Sequence, residues 1–117
     1  MNIPVFRFAA VLCFLAVALG AFGAHALKAT LMANETMEAW KTAVLYHFLH
    51  ALALLALGTL PAASKVPPAL FLAGIALFSG SLYLLALTNV KWLGAITPLG
   101  GLCFLVGWLT LVIWPPH

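Results

Sequence analysis

Residues 8–27, FAAVLCFLAVALGAFGAHAL, contain no formally charged side chain and lie between Arg7 and Lys28. Three further uncharged runs follow, at residues 42–64, 66–90 and 92–117. An α-helix needs about 20 apolar residues to cross the hydrocarbon core of a membrane, and each run is long enough to do so. We therefore expect four membrane-spanning helices.

The composition of the chain argues against a water-soluble domain. Of its 117 residues, 66% are hydrophobic and only 6% are charged, which is too few to cover a surface that faces water. In lipid every backbone N–H and C=O must be paired, and the runs lack the alternating polar pattern of a barrel strand, so helices are the expected structure. The net charge of +3 comes from dispersed basic residues and gives no basis for nucleic-acid binding.

These observations predict an all-α fold, an integral membrane four-helix bundle with antiparallel, up-and-down connectivity. A single membrane domain is expected to cover residues 1–117. Its helices are expected at about residues 5–26, 35–60, 67–88 and 93–114.

The starts of helices 2 and 4 are marked by particular residues. Asn34, followed by Glu35 and Glu38, is typical of an N-cap with acids in the first turn, so helix 2 is expected to begin in the membrane interface, before its buried part. Helix 4 has two open starts, one near residue 93 and one at Pro98, where proline suits the first helical turn.

Small residues at three- and four-residue spacing predict faces on which another helix can approach closely. We expect helix packing at Ala16, Gly20, Ala24, Ala73, Ala76, Gly80, Gly100 and Gly107. Such faces also allow self-association, so the expected partners are membrane lipids and a second copy of the chain.

The connectivity places both termini and the 61–67 connection on one side of the membrane. The connections at 27–41 and 89–92 lie on the other side, which carries most of the charged residues. Lys and Arg near the spans number three on this polar side and two on the opposite side, so the positive-inside rule slightly favours cytoplasmic polar loops.

Three histidines are the main candidates for a binding site. His47 and His50 lie on one face of helix 2 because they are three residues apart. His25 and Lys28 at the end of helix 1, and Tyr83 from helix 3, are expected at a similar level. Ionisable groups at membrane depth are costly, so we expect these residues to line a polar pocket near one membrane face.

Three interpretations of this pocket stay open: a metal or haem site, a proton relay, and interhelical hydrogen bonding that fixes packing. The sequence favours the last one. No acid lies on the His47 face, as a metal site in a helix bundle usually requires, although haem needs only one or two histidines. We assign no catalytic residue, no metal ligand and no cofactor, since Glu35 and Glu38 are typical of a helix start.

The leading hypothesis is therefore a non-enzymatic membrane bundle with a histidine-containing pocket. One alternative is a small transporter or channel, although helix 1 lacks the embedded acid that small multidrug exporters use for proton coupling. A further alternative is an enzyme or assembly factor that binds a lipid, a quinone or haem.

Four segments in order resemble the YgdD-like family of small membrane proteins, also described as domain of unknown function 423. They are GAFGAHALK at residues 20–28, TAVLYHFLHALA at 42–53, SGSLY at 79–83, and ITPLGGL at 96–102 followed by Gly107 and Trp108. The resemblance implies a four-helix protein of the bacterial inner membrane, with eukaryotic relatives such as transmembrane protein 256. It supplies no reaction.

Overall fold

Four long helices make up most of the structure, a computed structural model that describes residues 1–61 and 65–116. Span 1 is Ile3–Ala24, span 2 is Met37–Gly58, span 3 is Val66–Thr88 and span 4 is Lys91–Ile113. Each is long and apolar enough to cross a membrane. The described residues contain no strand, and the predicted all-α membrane bundle is confirmed.

Span 1 begins slightly earlier than the sequence predicts because a side chain caps it. The Asn2 Oδ1 atom accepts a hydrogen bond from the Val5 backbone N–H at 3.2 Å. The Asn2 N–H in turn donates to the Gly58 carbonyl at 2.8 Å, which fixes the start of span 1 beside the end of span 2. Of the predicted connection at 61–67, residues 62–64 lie outside the described residues.

A short helix, Lys28–Ala33, precedes span 2 and is separated from it by Glu35, whose φ of 56° lies in the left-handed region. The prediction of Asn34 as the N-cap of helix 2 is wrong, because the backbone reverses after Asn34 and Thr36 occupies the cap position. The Asn34 side chain instead donates to the Ala86 carbonyl at 3.0 Å. Carbonyls at a helix end lack partners within the helix, and Asn34 supplies one for span 3.

Span 3 contains one π-helical turn, Ile75–Ser79. Such a turn adds a residue to the helix, so the side chains beyond it are rotated relative to a continuous α-helix. Ser79, the last residue of the turn, is buried and donates through Oγ to the Ala43 carbonyl of span 2 at 2.8 Å. Ala76, predicted at the packing face, is exposed because it follows the buried Ile75 by one residue and so points away from that face.

Span 4 combines the two starts that the sequence left open. It begins as a 3₁₀ helix, Lys91–Ala95, and becomes an α-helix at Thr97–Ile113 with Pro98 in the first turn. The Thr97 and Ser81 hydroxyls are 2.6 Å apart and tie this junction to span 3.

Each span packs against its neighbour in sequence, and among the described residues spans 1 and 4 share no extended backbone interface. The molecule is consequently flat, with principal extents of 48 × 26 × 17 Å. In the most apolar part of span 1 only 11% of the residues are buried within the chain, so most of that helix faces its surroundings.

The bundle has two ends, which we name the terminal side and the loop side. The terminal side holds Asn2 and Gly58, and the loop side holds the short helix Lys28–Ala33 and the turn at Asn89. Two contacts define these ends: the bond from Asn2 to Gly58 brings the start of span 1 beside the end of span 2, and the bond from Asn34 to Ala86 brings the short helix beside the end of span 3.

Small residues are buried where helices approach most closely. Gly100 lies against the backbone of Phe78, since a Cβ atom there would be 2.7 Å from the Phe78 Cα. On span 1, Gly23 lies under the Trp40 ring, while Ala24, which the spacing predicts at a packing face, is exposed because it is rotated by one residue from that contact. The other expected packing positions are buried at Ala16 and Gly107, and half-buried at Gly20, Ala73 and Gly80.

We predict that Gly100→Ala destabilises the bundle by about 1 to 3 kcal/mol, because the new methyl group meets backbone that cannot yield without separating spans 3 and 4. Gly101→Ala is the matched control, since its Cβ would be 3.8 Å from a Phe78 ring atom. It should be neutral or stabilise by up to about 1 kcal/mol through helix propensity. Unfolding by SDS in mixed micelles measures both, and equal effects would contradict the close approach.

Candidate functional site

The two histidines of span 2 are both buried, with His47 4% and His50 5% exposed. They do not share one pocket. His47 contacts Tyr83 of span 3, whereas His50 contacts Trp108 of span 4.

The hydrogen bonds of His50 fix its protonation state. Its Nδ1 is 2.8 Å from the Tyr46 carbonyl oxygen, and its Nε2 is 2.9 Å from the Trp108 indole nitrogen. A carbonyl oxygen only accepts and an indole N–H only donates. His50 must therefore be a neutral imidazole with its proton on Nδ1 and a lone pair on Nε2, and neither nitrogen is free to bind a ligand.

Aromatic rings complete the surroundings of His50. The Phe104 ring stacks on the imidazole with centroids 3.6 Å apart and planes 10° apart, and Phe71 contacts it edge-on at 5.4 Å. Trp108 is not among the partners that the sequence predicts for His50. Its indole N–H was the available signal, because an indole N–H in the middle of a span needs an acceptor that lipid does not supply.

His47 is only half satisfied. Its Nδ1 lies 2.8 Å from the Tyr83 hydroxyl oxygen, and the Tyr83 ring packs on Trp40 with centroids 4.8 Å apart. The backbone of Leu12 in span 1 also lies within interaction distance of the imidazole. Within the described part of the chain, however, the buried Nε2 of His47 has no hydrogen-bond partner of good geometry, so any bond to Leu12 is poorly aligned.

Either tautomer of His47 leaves one polar group unpaired. If the Tyr83 hydroxyl donates to Nδ1, then Nε2 carries an unpaired N–H. If Nδ1 donates to Tyr83, then Nε2 carries an unpaired lone pair. A buried polar group without a partner costs about 1 to 3 kcal/mol, a cost that His50 avoids.

His25 and Lys28 lie apart from these two pairs. His25 follows the last residue of span 1 and is exposed, and Lys28 begins the short helix and is exposed too. The expected pocket of five residues is therefore not assembled in the described structure. The reason is geometric: span 1 packs through Ala16 and Gly23, and the chain turns away at His25.

The usual metal-ligand side chains are dispersed over the described residues. Across residues 1–61 and 65–116, no three His, Cys, Asp or Glu side chains converge on one point. Since both nitrogens of His50 are engaged, His47 Nε2 is the buried imidazole nitrogen that remains without a well-aligned partner among the described residues.

We predict that His50 and Trp108 are energetically coupled. Either single change, His50→Phe or Trp108→Phe, leaves a polar group unpaired in an apolar layer, whereas the double change removes both groups. A double-mutant cycle in mixed micelles should give a coupling of about 0.6 to 2 kcal/mol. Additive effects of the two changes would contradict the pairing.

Known proteins place the chain in a family. It matches a family model, described as a protein of unknown function (DUF423), over residues 19–101. A UPF0382 membrane protein of Staphylococcus epidermidis is 47% identical over 103 residues, which cover 85% of this chain and 84% of that protein. The UPF0382 membrane protein YwdK of Bacillus subtilis is 44% identical over 110 residues, covering 89% of each chain.

No solved structure matches the chain. The relatives are named as membrane proteins, in agreement with the four spans. The family resemblance drawn from the ordered sequence segments is confirmed, and this chain belongs to the DUF423 family of membrane proteins.

Proposed function

We propose that this protein is a non-enzymatic membrane protein that binds a small, uncharged, oxygen-bearing group at His47. The observation that carries the proposal is the buried Nε2 of His47, which lacks a well-aligned hydrogen-bond partner within the described structure. Both nitrogens of His50, in contrast, are engaged in bonds of good geometry. The contrast between two histidines on one helix favours a binding role for His47.

The chemistry of the surroundings limits the ligand. The ring lies between Tyr83 and the backbone of Leu12, in a layer with no charged side chain at that depth. A charged ligand would lose its hydration there without gaining a counter-charge, which is costly. A hydroxyl group, from a neutral lipid head group or another uncharged molecule, can pair with Nε2 in either tautomer. A carbonyl oxygen can pair with Nε2 only when Nε2 carries the proton.

The placement of the acids favours binding over catalysis. Glu35 and Glu38 are the only carboxylic side chains in the sequence, and both are exposed on the loop side. Neither reaches His47 to form the acid and base pair that most hydrolytic chemistry uses. His47 and Tyr83 alone are suited to hold a ligand by hydrogen bonds.

We also propose that the protein resides in the bacterial inner membrane with its loop side in the cytoplasm. Apolar helices are typical of that membrane, whereas outer-membrane proteins are β-barrels. Lys28, Lys41 and Lys91 on the loop side support the orientation. The exposed outer face of span 1 is available to membrane lipids or to a second copy of the chain.

Native mass spectrometry of protein released from its own membrane tests the binding proposal. We expect the wild type to carry a stoichiometric adduct that His47→Phe loses. Trp108→Phe should retain the adduct, because Trp108 contacts His50 and not His47. His47→Phe also leaves the Tyr83 hydroxyl without its partner, so the adduct and not the stability in SDS is the readout. A wild type without adduct, or an adduct that survives in His47→Phe, would contradict the proposal.

A further inference from the structure

A lateral groove of about 300 Å³ lies between spans 1 and 2 on the loop side, away from His47. We call it the Lys41 groove. Its walls include Gly20, Gly23 and Ala24 of span 1, and Lys41, Val44 and Phe48 of span 2. We propose that the Lys41 groove binds an anionic phospholipid, with the phosphate at Lys41 and one acyl chain along the groove. This inference is independent of the proposed function.

The groove exists because span 1 contributes only the small residues Gly20, Gly23 and Ala24 to its wall. Gly23 leaves room for the Trp40 ring, whose Cδ1 would be 2.5 Å from a Cβ at that position. At Gly20 a Cβ would still be 3.4 Å from the Val44 Cγ1 atom. The Trp40 indole donates to the Leu19 carbonyl at 3.0 Å, so the ring is fixed as one wall of the groove.

The depth of the groove fits a lipid that enters from the head-group region. Gly23 is opposite Trp40, so Lys41 lies level with the last turn of span 1, which ends at Ala24. Phe48 is seven residues further along span 2, or about 10 Å deeper at 1.5 Å per residue. The groove thus runs from the interface into the apolar layer, as an acyl chain does.

The charge at the upper end selects an anionic head group. Lys41 has a side chain that is 66% exposed, and its ion pair with Glu38, at 3.9 Å, is on the surface, with Glu38 90% exposed. Exposed pairs of this kind are weak, so a phosphate can compete with Glu38 for the ammonium group.

A second lateral groove lacks this combination. It lies between spans 2 and 4, has a volume of about 560 Å³ and includes Tyr46, His50 and Trp108 in its wall. None of its lining residues carries a formal charge. Hydrocarbon can fill it, but nothing in its wall distinguishes an anionic lipid from a zwitterionic one.

The role of the Lys41 charge is tested with the whole chain in mixed micelles. Phosphatidylglycerol or phosphatidylcholine is added stepwise, and native mass spectrometry measures how much lipid is bound. Lys41→Gln should weaken phosphatidylglycerol binding about fivefold and leave phosphatidylcholine binding unchanged. Lys91→Gln, on the same side of the membrane but outside the groove, is the matched control and should have no effect. Glu38→Gln should act in the opposite direction and strengthen phosphatidylglycerol binding.

The groove itself is tested with a matched pair of alanines on span 1. Ala24 lines the groove and is exposed, so Ala24→Leu fills the groove without meeting backbone. Ala21 is also exposed but is not part of the wall, which makes Ala21→Leu the control. We expect Ala24→Leu to abolish the tightest phosphatidylglycerol binding and Ala21→Leu to retain it.

Two results would overturn the inference. One is equal phosphatidylglycerol binding by Lys41→Gln and Lys91→Gln, and the other is equal binding by the two leucine variants, since either means lipid contact without a site. His47→Phe separates this inference from the proposed function. It should leave phosphatidylglycerol binding intact, so an adduct that depends on His47 and not on Lys41 belongs to the other site.

Discussion

The hydrogen bond from the Trp108 indole to His50 joins spans 2 and 4, which share no extended backbone interface in the described structure. Spans that packed only on their neighbours in sequence could form a simple row. The contact draws span 4 towards span 2, and Phe71 and Phe104 fill the space between them around the imidazole. Because lipid offers no competing hydrogen-bond partners, a single neutral pair can hold this arrangement.

Hydrogen bonds to backbone carbonyls fix the heights of the other helices. Thr36 donates to the Ala86 carbonyl at 2.7 Å on the loop side, and Ser79 donates to the Ala43 carbonyl deeper in the membrane. Spans 2 and 3 are thus held at two levels. Span 1 is joined to span 2 by the Trp40 indole and by the Asn2 backbone, and it contributes small residues between these points. That difference explains why a groove opens beside span 1.

The sequence predicts the fold better than it predicts the site. Seven charged residues were enough to delimit four spans, because a charge within the apolar layer is costly wherever it falls. Periodicity also placed His47 and His50 on one face of helix 2. Periodicity could not predict which helix contacts each imidazole ring, since residue spacing defines a helix face but not the helix that packs against that face. Three local details account for most of the other differences. Ala76 follows the buried Ile75 by one residue, so it points away from the packing face of span 3. Asn34 looks like a helix cap in sequence but serves the carbonyl end of a different helix. His25 is close to the packing residues of span 1 in sequence, yet the helix ends just before it and the chain turns outwards.

His47 and His50 show how a count of hydrogen bonds separates packing from function in a membrane protein. Both rings are buried on one helix, and only the partners of their four nitrogens distinguish them. His50 is complete within the chain, so its role is accounted for by the structure alone. Among the described residues, His47 lacks a well-aligned partner for Nε2, and Lys41 has only an exposed, weak pair with Glu38. His47 and Lys41 both lie beside span 1, which is less buried than span 2. At these two positions a molecule from the surrounding membrane can supply the interaction partner that the chain does not provide.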